Sequence, residues 1–127
     1  MTTNLMIVAY ARQLLTGLTA RVLARVPSAL GNVSDNVVRG NVLVCSSFMS
    51  TRSANTVDLC IEIEVAEVAN TVSADLVRGG SGEIISEMTP VTVIRDGVQT
   101  QVLGALDQYV RDMEDKIVAL LIPSIQQ

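Results

Sequence analysis

Between Thr56 and Ala66 the chain alternates without a fault. Val57, Leu59, Ile61, Ile63 and Val65 take every second position, with Asp58, Cys60, Glu62, Glu64 and Ala66 between them. Successive side chains of an extended strand point to opposite sides, so this segment has one apolar face and one largely polar face. Such a strand belongs in an antiparallel sheet with one face covered and the other wet. An all-helical bundle is thereby excluded. Val42–Met49 repeats the pattern across the polar stretch Ser50–Asn55 and is the natural hairpin partner. A turn centred between Arg52 and Ser53 sets Val44 opposite Ile61, Val42 opposite Ile63 and Phe48 opposite Val57, all on the apolar side. The same register puts Cys45 opposite Cys60 on the other side. Two cysteines are too few for a disulfide scaffold, and the expectation is a pair of reduced thiols used as small apolar side chains.

Helical periodicity brackets this hairpin. Val8, Ala11, Leu15, Leu18, Val22 and Val26 recur at spacings of three and four, with Arg12, Gln13, Arg21 and Arg25 off the stripe. Pro27 ends that helix, and Ser28–Asn41 is rich in turn formers and reads as a loop. A second hairpin, Thr71–Arg78 with Glu83–Arg95, flanks Gly79-Gly80-Ser81-Gly82, a connection suited to positive φ. Those glycines make no phosphate cradle: no lysine-serine or lysine-threonine pair follows them, and neither does a helix. In this hairpin Val72, Leu76 and Ile85 are expected to share one face, and Val77, Ile84 and Met88 the other. Pro90 marks a bulge or an edge. A last helix opens near Asp96 as N-cap, runs on the stripe Val102, Leu106, Tyr109, Met113, Ile117 and Leu120, and stops at Pro123. The predicted fold is a single α+β domain over residues 1–127. It is a two-layer sandwich in which N- and C-terminal helices flank a four-stranded antiparallel sheet, in the order α-β-β-β-β-α.

Composition removes several function classes. With no histidine in 127 residues, imidazole triads, histidine metal sites and imidazole proton shuttles are all excluded. Three aromatic side chains, Tyr10, Phe48 and Tyr109, supply no platform for stacking bases. The net charge of −4 disfavours a phosphate backbone as partner, so no nucleic-acid partner is expected. The charge is divided unevenly: five arginines against Asp35 up to residue 57, then twelve acids against four basic residues. Scattered charges of this kind suit halves that complement each other, within one chain or between copies. The first residues carry no basic region ahead of the apolar stretch, and no apolar run reaches the length of a bilayer span, so a cytoplasmic protein without a membrane segment is expected.

Serine nucleophiles have no base except Lys116, whose acidic surroundings would raise its pKa. Asp58, Glu62 and Glu64 line up on the wet side of one strand, a spacing that suits acid–base work or a divalent cation. A charged outer face that discourages stacking and edge aggregation is the better account of them. No catalytic residue, metal ligand or cofactor site is therefore assigned. What remains unexplained is apolar excess. Ile117–Ile122 and Leu5–Tyr10 are apolar all around a helix, and Leu43, Cys45 and Met49 fall on the wet face. Helices apolar on every side need cover on every side, and burying five such side chains gains on the order of 8–12 kcal/mol before association costs. The expectation is a homo-oligomer, also able to take a protein partner, acting as an assembly subunit or a small chaperone- or carrier-like dimer. Its contact residues would be Leu5, Met6, Tyr10, Ile117, Leu120, Leu121 and Ile122 at the helix ends, with Leu43 and Met49 on the sheet. Two alternatives stand beside it: a small-molecule binder with an apolar pocket gated by loop 28–41, and a carboxylate-based enzyme using Asp58, Glu62 and Glu64.

Overall fold

The computed structural model describes residues 2–52, 55–67, 69–93 and 100–122. Its elements are α1 (Thr2–Arg25), β1 (Leu30–Val38), β2 (Asn41–Arg52), β3 (Asn55–Ala66), β4 (Thr71–Arg78), β5 (Ile84–Thr92) and α2 (Thr100–Leu121). The strands form one antiparallel meander in the order β1-β2-β3-β4-β5. The α+β class and antiparallel sheet are as the sequence predicts, with five strands in place of four.

Both helices cover the same sheet face. Val44 and Phe48 of β2, Leu59, Ile61, Ile63 and Val65 of β3, and Val72, Ala74 and Leu76 of β4 are buried there, at most 4% exposed. Against them α1 lays Ala11, Leu15, Leu18 and Val22, followed by Val26 just past its end, and α2 lays Val102, Leu106, Tyr109, Met113 and Ile117, as the two stripes predict. Leu14 shares a surface depression with Val110 and Arg111, while Arg21 and Arg25 reach Glu114 and Asp115 further along, so the helices run in the same direction. Here the charge asymmetry of the sequence is resolved within one chain, as arginines of the first half meet acids of the second. No helix among the described residues is long and apolar enough to cross a membrane.

The fifth strand is the segment expected to be a loop. β1 pairs with β2 over nine consecutive residue pairs, from Leu30↔Met49 to Val38↔Asn41. Arg39 and Gly40 close the hairpin with both φ positive, at 54° and 84°, which is the backbone of a two-residue type I′ turn. Glycine, asparagine, serine and aspartate depress β propensity in Leu30–Val38, but propensity yields where a neighbouring strand offers a full ladder. Close approach of α1 explains one of those residues. A side chain at Gly31 would place its Cβ 2.9 Å from Thr19 Cγ2 and 3.3 Å from Leu23 Cδ1.

Two registers also differ. β2 and β3 pair as Val44↔Ile63, Val42↔Val65 and Phe48↔Leu59, two residues along from the expected alignment. A slip of two keeps every side chain on its own face, so alternation alone cannot separate these registers. Its consequence is chemical: Cys45 stands opposite Glu62, and Cys60 opposite Ser47. In β5, Ile85 is an extra residue between the pairs Val77↔Ile84 and Leu76↔Ser86, which turns Met88 onto the helix side beside Ala74. Thr89 and Pro90 together oppose Ser73, so the proline sits at a bulge and on an edge, as its missing N–H requires. Asp96, Arg95 and Pro123 lie outside the described residues.

One polar pair is sealed inside the core. The Thr19 hydroxyl of α1 donates to the Leu15 carbonyl at 2.7 Å, leaving its oxygen to accept from Ser46 Oγ of β2 at 2.6 Å. Thr19→Val should cost about 1–3 kcal/mol, because it strands the buried Ser46 hydroxyl. The double variant Thr19→Val/Ser46→Ala should recover most of that loss, and urea denaturation of the four proteins in the cycle measures both.

Candidate functional site

Among the described residues nothing covers the sheet face away from the helices, and this face gathers thiols and carboxyls side by side. Strand pairing aligns Ser34, Cys45, Glu62, Asp75 and Glu87 in one row across all five strands. Cys60 stands one step from that row on β3, beside Ser47, and Glu64 one step to the other side. A groove of about 580 Å³ runs over this surface, floored by Cys60, Glu62 and Asp75 and bounded by Asp58, Val77 and Ile84.

Glu62 and Asp75 are half-buried carboxyls on directly paired residues. Burial first, and then the proton shared with Asp75, pushes Glu62 up to about 7. Asp75 is raised too, by burial and by the charges of Glu87 and Glu64. Its Oδ1 is buried without a hydrogen-bond partner. The pair thus holds a proton near neutrality that two exposed carboxyls would have lost.

The thiols differ in character. Cys45, only 7% exposed, donates a hydrogen bond to Cys60, and that bond, with burial added, holds its proton firmly. Cys60 receives that bond and another from Ser47 Oγ at 3.8 Å, which lower its pKa although burial opposes them. Both thiols are free.

Of the acids picked out by spacing, Asp58, Glu62 and Glu64 do share the wet face of β3, yet their surroundings separate them. Asp58 packs against Gly79, where any Cβ would come within 2.6 Å of its carboxylate, and its carbonyl accepts the Gly79 N–H at 2.8 Å. Glu64 accepts from Asn41 Nδ2 at 2.9 Å. Glu62 joins Asp75 instead. Asp75 and Glu87 escaped sequence reasoning because only the β3–β4 and β4–β5 registers bring them into the row. The thiols carried a signal, as both fell on the outer face.

The expected contact residues scatter over the molecule. Leu5 and Met6 are 68% and 62% exposed at the start of α1. Tyr10 is half-buried, Leu120 packs partly on the core, and Ile122 is exposed beyond the end of α2. Met49 is 41% exposed and Leu43 half-buried on the outer face. Ile117 and Leu121 are corrections to the expected surface: both are 0% exposed. The last turns of α2 are clad on two sides, by the sheet and by α1, so an all-round apolar run there needs no second molecule. The parallel helices also place Leu5 and Met6 at the opposite end of the molecule from Ile122, so the helix tips make no common patch. Comparison with protein-family models, with curated proteins and with solved structures finds no match to this chain.

Cys60 should be alkylated by iodoacetamide at least about tenfold faster than Cys45 at pH 8, which peptide mapping by mass spectrometry reads directly. A second outcome concerns Glu62. With a folded pKa near 7 against an ordinary value of 4.5, the folded chain holds an extra proton between those limits. The contribution to stability is present below pH 4.5 and lost as pH rises through 7. In the presence of a chelator, Glu62→Gln should therefore gain on the wild type as pH rises from 5 to 8, by about 1 kcal/mol in denaturant melts.

Proposed function

We propose that this protein acts by assembly rather than catalysis, as a self-associating interaction subunit whose first contact is the free edge of β1. The observation that carries the reading is a contrast between the two edges of the sheet. β5 begins next to a glycine-rich turn, is broken by two bulges and carries Pro90, all of which discourage another strand from adding to it. β1 is nine residues long, has no proline, and pairs without a bulge along its whole inner side. Its outer side leaves a row of backbone donors and acceptors open, which is a template for one more strand.

The occupant that fits is a second copy. Read about Ser34, the outward side chains of β1 are nearly palindromic: Leu30, Asn32, Ser34, Asn36, Val38. Antiparallel pairing about a two-fold axis there sets Leu30 opposite Val38 of the partner subunit, and Asn32 opposite Asn36 of the partner subunit. Leu30 and Val38 are 70% and 51% exposed in the single chain, so this pairing removes apolar surface that no other described residue covers. Met49 lies beside Leu30 and extends the patch. The one charge on the strand, Asp35, is already held by Arg12. Arg12 against Asp35 and Leu23 against Gly31 also show α1 antiparallel to β1, which carries exposed Leu5 and Met6 toward the Val38 end.

Four such side chains gain about 6–12 kcal/mol gross on burial, before the backbone ladder is counted. Association costs about 4–15 kcal/mol, so the dimer is to be sought at micromolar concentrations and above. Light scattering across a dilution series should give twice the chain mass at the upper end. Leu30→Lys/Val38→Lys should raise the dissociation constant at least about tenfold and leave circular dichroism unchanged, since both side chains are exposed. A wild-type chain that stays monomeric at every concentration, or a double variant that still dimerises fully, would overturn the reading.

A further inference from the structure

We propose that Cys45, Cys60 and Glu62, completed by Asp75, form a binding site for a thiophilic divalent cation of the zinc type on the open sheet face. The sulfur atoms of Cys45 and Cys60 and a carboxylate oxygen of Glu62 lie within 4.8 Å of one another. A tetrahedral zinc site has metal–sulfur bonds of about 2.3 Å and metal–oxygen bonds of about 2.0–2.2 Å, so its ligand atoms stand about 3.3–3.8 Å apart. Small side-chain rotations close that gap. Asp75 is directly opposite Glu62, and its buried Oδ1 is without a hydrogen-bond partner. Besides the proton that Asp75 shares with Glu62, that oxygen has no partner among the described residues, and a cation would take the proton's place between the two carboxylates.

The observed register favours a metal over the simpler fate of two neighbouring thiols. Cys45 pairs with Glu62 and Cys60 with Ser47, so the cysteines are diagonal neighbours. Diagonal positions on adjacent strands have Cα atoms roughly 7–8 Å apart, beyond the roughly 4.4–6.8 Å that a disulfide spans. A shared ion bridges that distance without moving the backbone. Charge points the same way. Among the described residues the ion pairs are made by Asp35, Glu83, Asp107, Glu114 and Asp115, and none by Glu62, Glu64, Asp75 or Glu87. Arg78, at the end of the groove, is bonded to Glu83 at 3.1 Å. The acids that face the thiols thus make no ion pair among the described residues. Two sulfur donors select zinc-like ions over magnesium or calcium, which take all-oxygen sets. The groove over Cys60, Glu62 and Asp75 is the entry path, and the β1 edge is not involved, so the site stands independently of self-association.

Cobalt(II) is the probe, titrated into reduced, metal-free full-length protein. The expected result is one ion bound per chain, with a sulfur-to-cobalt charge-transfer band in the near ultraviolet, displaced by one equivalent of zinc. Zinc should also slow alkylation of both cysteines at least about tenfold, since coordinated thiolates are withdrawn from reaction. Cys45→Ser/Cys60→Ser should abolish the charge-transfer band. Because Cys45 is buried, Cys60→Ser alone and Asp75→Asn are the second test: each should weaken cobalt binding at least about tenfold while circular dichroism is unchanged. Substoichiometric binding without a charge-transfer band, unimpaired binding in Cys60→Ser, or a Cys45–Cys60 disulfide formed by the native fold would each overturn the assignment.

Discussion

One sheet face has to be kept from water, and the chain has two helices with which to do it. Val44, Phe48, Leu59, Ile61, Ile63, Val65, Val72 and Leu76 make that face, and each is at most 2% exposed beneath α1 and α2. Burial of this size dominates the free energy of folding, so both helices are committed to the same side. Everything else about the surface follows from that commitment. Among the described residues no third layer covers the far face and no element lies beyond β1, so that face and that edge of the sheet stay open.

Electrostatics is sorted by the same division. Along the seam between the helices, Arg21 reaches Glu114 at 2.7 Å and Arg25 reaches Asp115 at 2.8 Å. These pairs are largely exposed and add little stability, but they align the helices side by side. On the far face Glu62, Glu64, Asp75 and Glu87 are gathered and make no ion pair among the described residues. Glu62, Asp75 and Glu87 follow one another across three strands because each occupies the outward position of its register. Like charges directly opposite are unfavourable in a sheet. These acids stand beside two thiols, whereas β1 exposes backbone groups and aliphatic side chains at the edge.

Legibility differed by element, for identifiable reasons. α1, β3 and α2 were readable because each repeats its period over many residues, and the helix stripes are buried as expected except for Leu120, which is only partly covered. β1 was missed because its composition is that of a turn and its pairing is supplied by β2. The β2–β3 alignment was off by two because the faces are indifferent to a shift of that size. Ile117 and Leu121 were read as surface because a run that is apolar all round says how much cover is needed, not which neighbour supplies it. Cys45, Cys60 and Glu62 were visible as outward residues, but Asp75 beside them was not.

Periodicity and composition were enough for the class of fold, the covered faces of β2 and β3, the stripes of both helices and the chemistry that a histidine-free chain excludes. These are properties of periodicity and content, which are local. Tertiary structure alone decided the fifth strand, the residue opposite each cysteine, the acid row across β3, β4 and β5, and which apolar residues remain in water. Each of those depends on where one segment stops relative to another. That is set by turn length, bulges and helix direction acting together, and no single segment carries the information.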